Sequence, residues 1–357
     1  MKRSARVIID SAALRHNLQR CRQAAPNSLV MAVIKANAYG HNMLKTAETL
    51  NHANGFAVSC VQEALELRQA RFLHPITVLQ GYQNFAGLKA ASEHRLRVVI
   101  HDYAQLELLD SAPYSLKVDI AIKLDSGMHR LGFPVEQARS LFDKLSKHSN
   151  VRSKPWLVTH MACADEKDNS HTQAQIDQFL QYTAGIETPL SMANSASILA
   201  WSQTHTQWVR PGIMLYGASP FENGNAKAEG LQAVMTLTAP LIAVHTIPKG
   251  ESIGYGASWI CPEDMRTGVI ACGYADGYPR HAPTGTPVWV NGKETRTLGR
   301  VSMDMTVIDL TGIEAQPGDT VELWGKHIAV DRVARSAGTI SYEILCNAGN
   351  LCVHDYV

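Results

Sequence analysis

The chain has almost no net charge, no long apolar run and no paired-cysteine motif, and each lack removes a class of function. Its 33 Lys and Arg against 32 Asp and Glu leave a formal charge of +1, and the basic residues are spread along the chain rather than clustered. That balance recommends neither a nucleic acid nor an anionic membrane surface as partner. The basic start, MKRSARVIID, is followed by no apolar stretch, and the best early run, Leu29–Ile34, is only six residues long. That is far short of a signal-peptide core or a membrane span, so the expectation is a cytoplasmic protein with no membrane partner. The seven cysteines are an odd set without a CxxC pair, which suits reduced, mostly buried thiols better than disulfides or a zinc site. Fifteen histidines are scattered without an HExxH pattern, and no metal is expected.

What is present is enough apolar residue for a large interior. With 357 residues, 45% hydrophobic and 18% charged, the chain is comfortable for two domains. After an opening strand at Val7–Ile9, Asp10 and Ser11 are good N-caps for a helix carrying Leu14, Leu18 and Cys21 on one face. Strand-like runs follow at Leu29–Lys35, Phe56–Ser59, Ile76–Gln80, Arg97–His101, Val118–Asp125, Trp156–His160, Pro189–Asn194 and Val209–Tyr216, with helical patterns such as Val61–Arg71 and Val135–Lys147 between them. Strands alternating with helices imply parallel pairing, and eight of them imply a closed TIM-like (β/α)8 barrel. An open dinucleotide-binding sheet loses support because no GxGxxG follows the first strand.

Past the Asn-, Gly- and Lys-rich segment Phe221–Gly230 the pattern changes. Val234–Thr246, Gly268–Cys272, Pro287–Val290, Thr295–Leu298, Met305–Leu310 and Thr320–Leu323 read as strands, and Asn291-Gly292 is the strongest hairpin signal in the chain. The expected fold is therefore α/β: an N-terminal barrel over residues 1–225 and a C-terminal, mostly β domain over 226–357.

In parallel barrels the chemistry sits at the C-terminal ends of the strands. The first run ends in Lys35, and a lysine after Met31-Ala32-Val33-Ile34 either reaches water or is desolvated enough to form a Schiff base with a carbonyl cofactor. The fifth run ends in Lys123 and leads to Arg130, the sixth ends in His160, the seventh in Asn194-Ser195, and the eighth carries Arg210-Pro211-Gly212-Ile213. Singly these have plain explanations: a satisfied core histidine, a helix cap. One cofactor at the barrel mouth explains them together, with Ser195, the amides of Gly212 and Ile213, and the Tyr39 hydroxyl available to a phosphate.

Read as a set, these residues resemble the alanine racemases, a fold-type III pyridoxal-phosphate family. The matching motifs are Ala32–His41, Lys123–Gly132, Arg210–Gly217, Ile253–Gly256, Ala271–Tyr278 and Gly299–Asp304, and they run through both domains. The resemblance implies a homodimer with shared active sites, acting on alanine. It makes Lys35 the cofactor-bearing residue and one catalytic base, and Tyr255, from the partner subunit, the base on the opposite face. Arg210 would face the pyridine nitrogen and His160 the ring. Tyr39, Ser195, Gly212, Ile213 and Tyr342 would bind the phosphate of pyridoxal 5'-phosphate. Arg130 and the Met303 amide would hold the substrate carboxylate, and Lys123 resembles a lysine carbamylated in many relatives. Asp165, Tyr274, Arg280 and Arg300 would line substrate access. Racemisation needs two bases because the α-proton leaves one face and returns on the other. A tyrosine with its ordinary pKa of about 10 needs a nearby cation, which a chain from Arg210 through His160 would supply. The role would be supplying D-alanine for peptidoglycan or L-alanine for catabolism.

Three other readings compete. A fold-type III decarboxylase needs no opposite-face tyrosine and usually sets an acid, not an arginine, at the ring nitrogen. A non-enzymatic cofactor carrier would match the barrel alone. A racemase of broader specificity, for serine, lysine or arginine, shares the same motifs. Ser341 before Tyr342, Met161 after His160 and a tail without a late arginine depart from the usual family pattern.

Overall fold

A computed structural model describes residues 3–349 and 351–357. In it the eight runs form parallel strands at Leu29–Val33, Gly55–Val58, Ile76–Val78, Arg97–Ile100, Asp119–Asp125, Trp156–Val158, Leu190–Ser191 and Trp208–Val209. Each pairs with the next in sequence, and the eighth returns to the first through Trp208 opposite Leu29 and Val209 opposite Val30, closing the barrel. These strands are buried on both faces, which is why they read as continuous apolar runs rather than alternating ones. Several are shorter than their apolar runs suggest: the eighth stops at Val209, and Ile213–Tyr216 forms a 3₁₀ turn instead.

The second sheet is antiparallel at its centre and also closes. Met235–Ile247, Met265–Ile270, Thr306–Asp309, Lys293–Leu298, Pro287–Val290 and Thr320–Trp324 pair in that order, and the last returns to the first. The long strand Met235–Ile247 serves both ends of this ring. It pairs with Thr320–Trp324 as far as Pro240 and with Met265–Ile270 from Leu241 onward, and its register with the latter shifts between Leu241 and Ala243. A proline without an N–H suits that change of partner. The Asn291-Gly292 turn joins Pro287–Val290 to Lys293–Leu298, both residues at positive φ (44° and 82°), the conformation a two-residue hairpin of this hand requires.

The opening strand, Arg6–Ile9, belongs to this second sheet. It pairs antiparallel with Met235–Thr238 and parallel with Val353–Tyr356. We propose the division of the chain near residue 225, with this strand reaching across it. Two helices, Val330–Ser336 and Ser341–Asn347, stand in a region expected to be mostly strand, and the second carries Tyr342. Among the described residues no helix is long and apolar enough to cross a membrane.

The helix Ser11–Ala24 begins as its sequence requires, with Asp10 accepting from Ala12 N and Ala13 N at 2.9 Å each. Its buried Asn17 binds the two domains together. Asn17 Nδ2 donates to Leu215 O (3.0 Å) and Gln232 O (2.8 Å), and Gln232 N donates to Asn17 Oδ1 (2.8 Å). Replacing it by alanine removes three hydrogen bonds to backbone groups, of which Leu215 O is buried and the two of Gln232 are part-buried. Asn17→Ala is expected to destabilise the fold by about 2–5 kcal/mol, read as a lowered urea midpoint; an unchanged midpoint would remove Asn17 from the domain junction.

Candidate active site

The barrel mouth holds a cavity of about 590 Å³. Its lining includes Lys35, Tyr39, Lys123, Arg130, His160, Asn194, Ser195, Arg210, Gly212, Ile213 and Tyr342. The structure thus brings together every barrel residue expected to bear on catalysis, with Tyr342 added from the C-terminal region. Asp165 lies in an adjoining cavity of about 690 Å³ that shares His160, Asn194 and Tyr342.

Lys35 opens an uncommon turn. Ala36, Asn37, Ala38 and Tyr39 all take positive φ, between 52° and 55°, at about 1–2 kcal/mol for each such residue. Several contacts hold them there. Ala36 N donates to Glu63 Oε1 (2.7 Å) and Met43 N to Asn37 Oδ1 (2.9 Å). His41 Nδ1 lies 2.9 Å from Tyr39 O, and the Tyr39 ring stacks on Tyr216 with centroids 4.7 Å apart. Glu63 also accepts from Ser59 N at 2.6 Å, so one carboxylate fixes the ends of the first two strands. No sequence signal marked Glu63 for this work, since an acid in the first turn of a helix is common.

The far end of the cavity is made of small groups. Gly212 N donates to Ser195 Oγ at 2.8 Å and Met214 N reaches the same oxygen at 3.4 Å. A Cβ on Gly212 would lie 2.5 Å from the Tyr39 hydroxyl, so only glycine allows that oxygen beside this backbone. Asn194 caps its helix by accepting from Ser197 N (3.0 Å), the plain role weighed for it. Tyr342 is held from behind: its neighbour Ser341 donates to buried Asp331 at 2.6 Å, and Asp331 accepts from Ser219 N. Burial pushes the Asp331 carboxyl up. The unusual serine at 341 therefore has a partner.

Arg210 is buried, and its hydrogen bonds run to neutral groups. It donates to Ser191 Oγ (2.5 Å), Thr159 O (2.6 Å) and Met192 O (3.3 Å), with His160 Nδ1 3.5 Å away. Burial lowers its pKa to about 10, leaving it charged at neutrality. Its cation, with burial as the larger cause, holds the His160 imidazolium well below its usual range. Burial and then Arg210 and Arg130 lower Lys123 to about 8, and burial and Arg130 lower Lys35. Among the described residues none of Lys35, Lys123, Arg130 and Arg210 forms a salt bridge. A cavity with four cations and no paired carboxylate is suited to an anionic ligand. An amine to bind a carbonyl, a glycine-backed hydroxyl pair and this charge together fit pyridoxal phosphate.

The remaining candidates are elsewhere. Tyr255 is 67% exposed on a loop between Gly254 (φ 77°) and Gly256 (φ 73°), and Arg300 lies against that loop. Tyr274, Arg280, Arg300 and Met303 are exposed as well. None of these five lines the cavity of its own barrel.

Two family models match the chain, the alanine racemase N-terminal domain over residues 9–220 and the alanine racemase C-terminal domain over residues 234–356. The alanine racemase of Nitrosococcus oceani is 48% identical over 343 residues, 95% of each chain. The crystal structure of the biosynthetic alanine racemase from Pseudomonas aeruginosa matches with a TM-score of 0.96 at 41% identity, over 99% of each chain. The alanine racemase of Bartonella henselae, solved with covalently bound pyridoxal phosphate, matches with a TM-score of 0.89 at 28% identity, also over 99% of each chain.

The depressed Lys123 yields a pH test. From pH 8 to its ordinary 10.5 the unfolded chain keeps a proton that the folded chain has released, so this group adds stability as pH rises through that window; below pH 8 the buried ammonium is a full penalty. Lys123→Met protein in carbon-dioxide-free buffer is expected to melt above the parent at pH 7, with the gap closing by pH 10. A gap independent of pH would mean that Lys123 titrates normally.

Proposed function

We infer the chemistry from membership: the chain belongs to the alanine racemase family and is an amino-acid racemase, an isomerase. The proposed reaction is the interconversion of L- and D-alanine by a cytoplasmic homodimer that uses pyridoxal 5'-phosphate and two bases. The observation that carries it is the split arrangement: Lys35 and four other cationic or imidazole groups meet in one cavity, while Tyr255 projects from an exposed, glycine-flanked loop.

When bound, pyridoxal phosphate supplies an electron sink that acidifies the substrate's α C–H bond. Lys35 would hold the cofactor, and Tyr39, Ser195, Gly212, Ile213 and Tyr342 its phosphate. Arg210, charged at neutrality, would hold the cofactor's ring nitrogen unprotonated and so restrain side reactions. Arg130 and the partner's Met303 amide hold the substrate carboxylate. The Lys35 amine exchanges the α-proton on one face, and the partner subunit's Tyr255 exchanges it on the other. Each base is regenerated by a turnover in the reverse direction or by solvent. Lys123, near neutrality partly an uncharged amine, can take up carbon dioxide as a carbamate, whose negative charge would orient Arg130. The partner's Tyr274, Arg280 and Arg300 would line substrate access with Asp165.

The direct test is L-alanine in D2O with protein and pyridoxal phosphate. D-alanine carrying α-deuterium is expected; a loaded protein that makes none would overturn the reading, and faster turnover of serine, lysine or arginine would replace the substrate. Lys35→Ala and Tyr255→Phe should each lose racemisation in both directions. Mixed and re-equilibrated, the two inactive proteins are expected to recover about a quarter of parental activity, because half the dimers then hold one intact site. No recovery would mean that each subunit's site is its own.

A further inference from the structure

Two stretches of the β domain carry the residues that the proposed function sends to the other subunit. Gly273–Gly277 holds Tyr274, and Arg300–Met305 holds Arg300 and Met303. Neither residue pair sits in a regular strand, so their relative position depends on a few contacts. Tyr274 N donates to Ser302 O (3.1 Å) and Ala275 N to Met303 O (3.0 Å). The approach is close: a Cβ on Gly273 would lie 2.3 Å from Ser302 O and 2.4 Å from Met303 O.

Behind this pair lies a charged group that the reaction does not use. The Asp276 side chain is fully buried, and its Oδ2 accepts from Gly273 N at 2.9 Å. Its cation is Arg3, which precedes the strand Arg6–Ile9. Arg3 Nε donates to Asp276 Oδ1, and Nη2 donates to Asp276 Oδ2 (3.1 Å) and to Asp304 Oδ1 (2.5 Å). Asp304 directly follows Met303. One guanidinium thus bridges a carboxylate on each of the two stretches, in the two-point geometry that fixes direction as well as distance. A buried carboxylate deprived of its cation is costly, so without Arg3 the Asp276 turn must shift toward water.

We propose that Arg3 is a positioning residue for the active site of the opposite subunit, holding the Met303 amide where it receives the substrate carboxylate and Tyr274 where it lines substrate access. This rests on the proposed function, in which those residues serve the partner. Arg3 touches no substrate. Its loss acts through the loops it ties, so the damage falls on the site those loops enter and not on the barrel of its own chain.

The experiment uses the complementing dimer, assembled from Lys35→Ala and Tyr255→Phe subunits bearing different affinity tags. Its single live site takes Lys35 from the Tyr255→Phe subunit and its loops from the Lys35→Ala subunit. Arg3→Ala is placed on one subunit or the other. On the Lys35→Ala subunit it is expected to lower kcat/KM for alanine roughly 10- to 100-fold, mainly through KM, the scale of a misplaced binding group. On the Tyr255→Phe subunit it is expected to leave the parental rate. Arg3→Lys, which keeps one charge but loses the fork, should restore only part of the loss. Equal damage from either placement, or none from both, overturns the proposal while leaving the shared site intact. Failure of the parental pair to complement overturns the shared site and the proposal with it.

Discussion

A buried guanidinium without a carboxylate organises this barrel. Arg210 sits in the interior and is satisfied by the Ser191 hydroxyl and by carbonyls of Thr159 and Met192, groups that belong to the ends of the sixth and seventh strands. The same side chain therefore fastens three neighbouring strand ends and leaves a full positive charge at the barrel mouth. Neutral partners satisfy its hydrogen bonds but do not cancel its charge. His160 is kept neutral beside it and Lys123 is pushed toward its neutral form, with burial the larger cause in both; Lys35 is lowered by burial and by Arg130 rather than by Arg210. An acid at this position would remove the coulombic part of the shifts on His160 and Lys123 and leave the larger part, which is due to burial.

The cost of gathering so much positive charge is met by the scaffold. The closed barrel is packed with Val, Ile, Leu and Ala, and burial of such side chains supplies about 25 cal/mol for each Å² removed from water. The strained turn at Ala36–Tyr39 persists because Glu63, Asn37 and Tyr216 over-determine it. Tyr342 is held in a comparable way through Ser341 and Asp331. On the proposed reading the β domain contributes differently: it offers loops outward, with Tyr255 between two glycines and Tyr274 beside Met303.

Much of this was legible from residue order. Parallel strands buried on both faces must be continuous apolar runs, so the eight runs marked the eight strands and their polar ends marked the cavity lining. The Asn291-Gly292 turn and the Asp10 cap are local and were readable for the same reason: their partners lie within a few residues. The ends of elements were less legible. The apolar run from Val209 continues through Ile213, Met214 and Leu215, yet the strand stops at Val209, because the chain there turns into the core rather than along it. The helices at Val330–Ser336 and Ser341–Asn347 are seven residues each, too short for periodicity to separate them from strands.

By itself the sequence determined the two-part fold, the order of the barrel strands and the set of polar residues at their ends, since each follows from hydrophobic pattern or from a motif of adjacent residues. Only the tertiary structure decided the rest. The opening strand joins the distant sheet, Asn17 closes the domain junction, Glu63 and Asp331 support the cavity from behind, and Arg3 reaches Asp276 and Asp304. These are pairings between residues up to 347 positions apart, as Arg6 and Val353 are. A local pattern carries no information about such partners, because a buried polar group is satisfied by whatever the folded chain brings within hydrogen-bond reach.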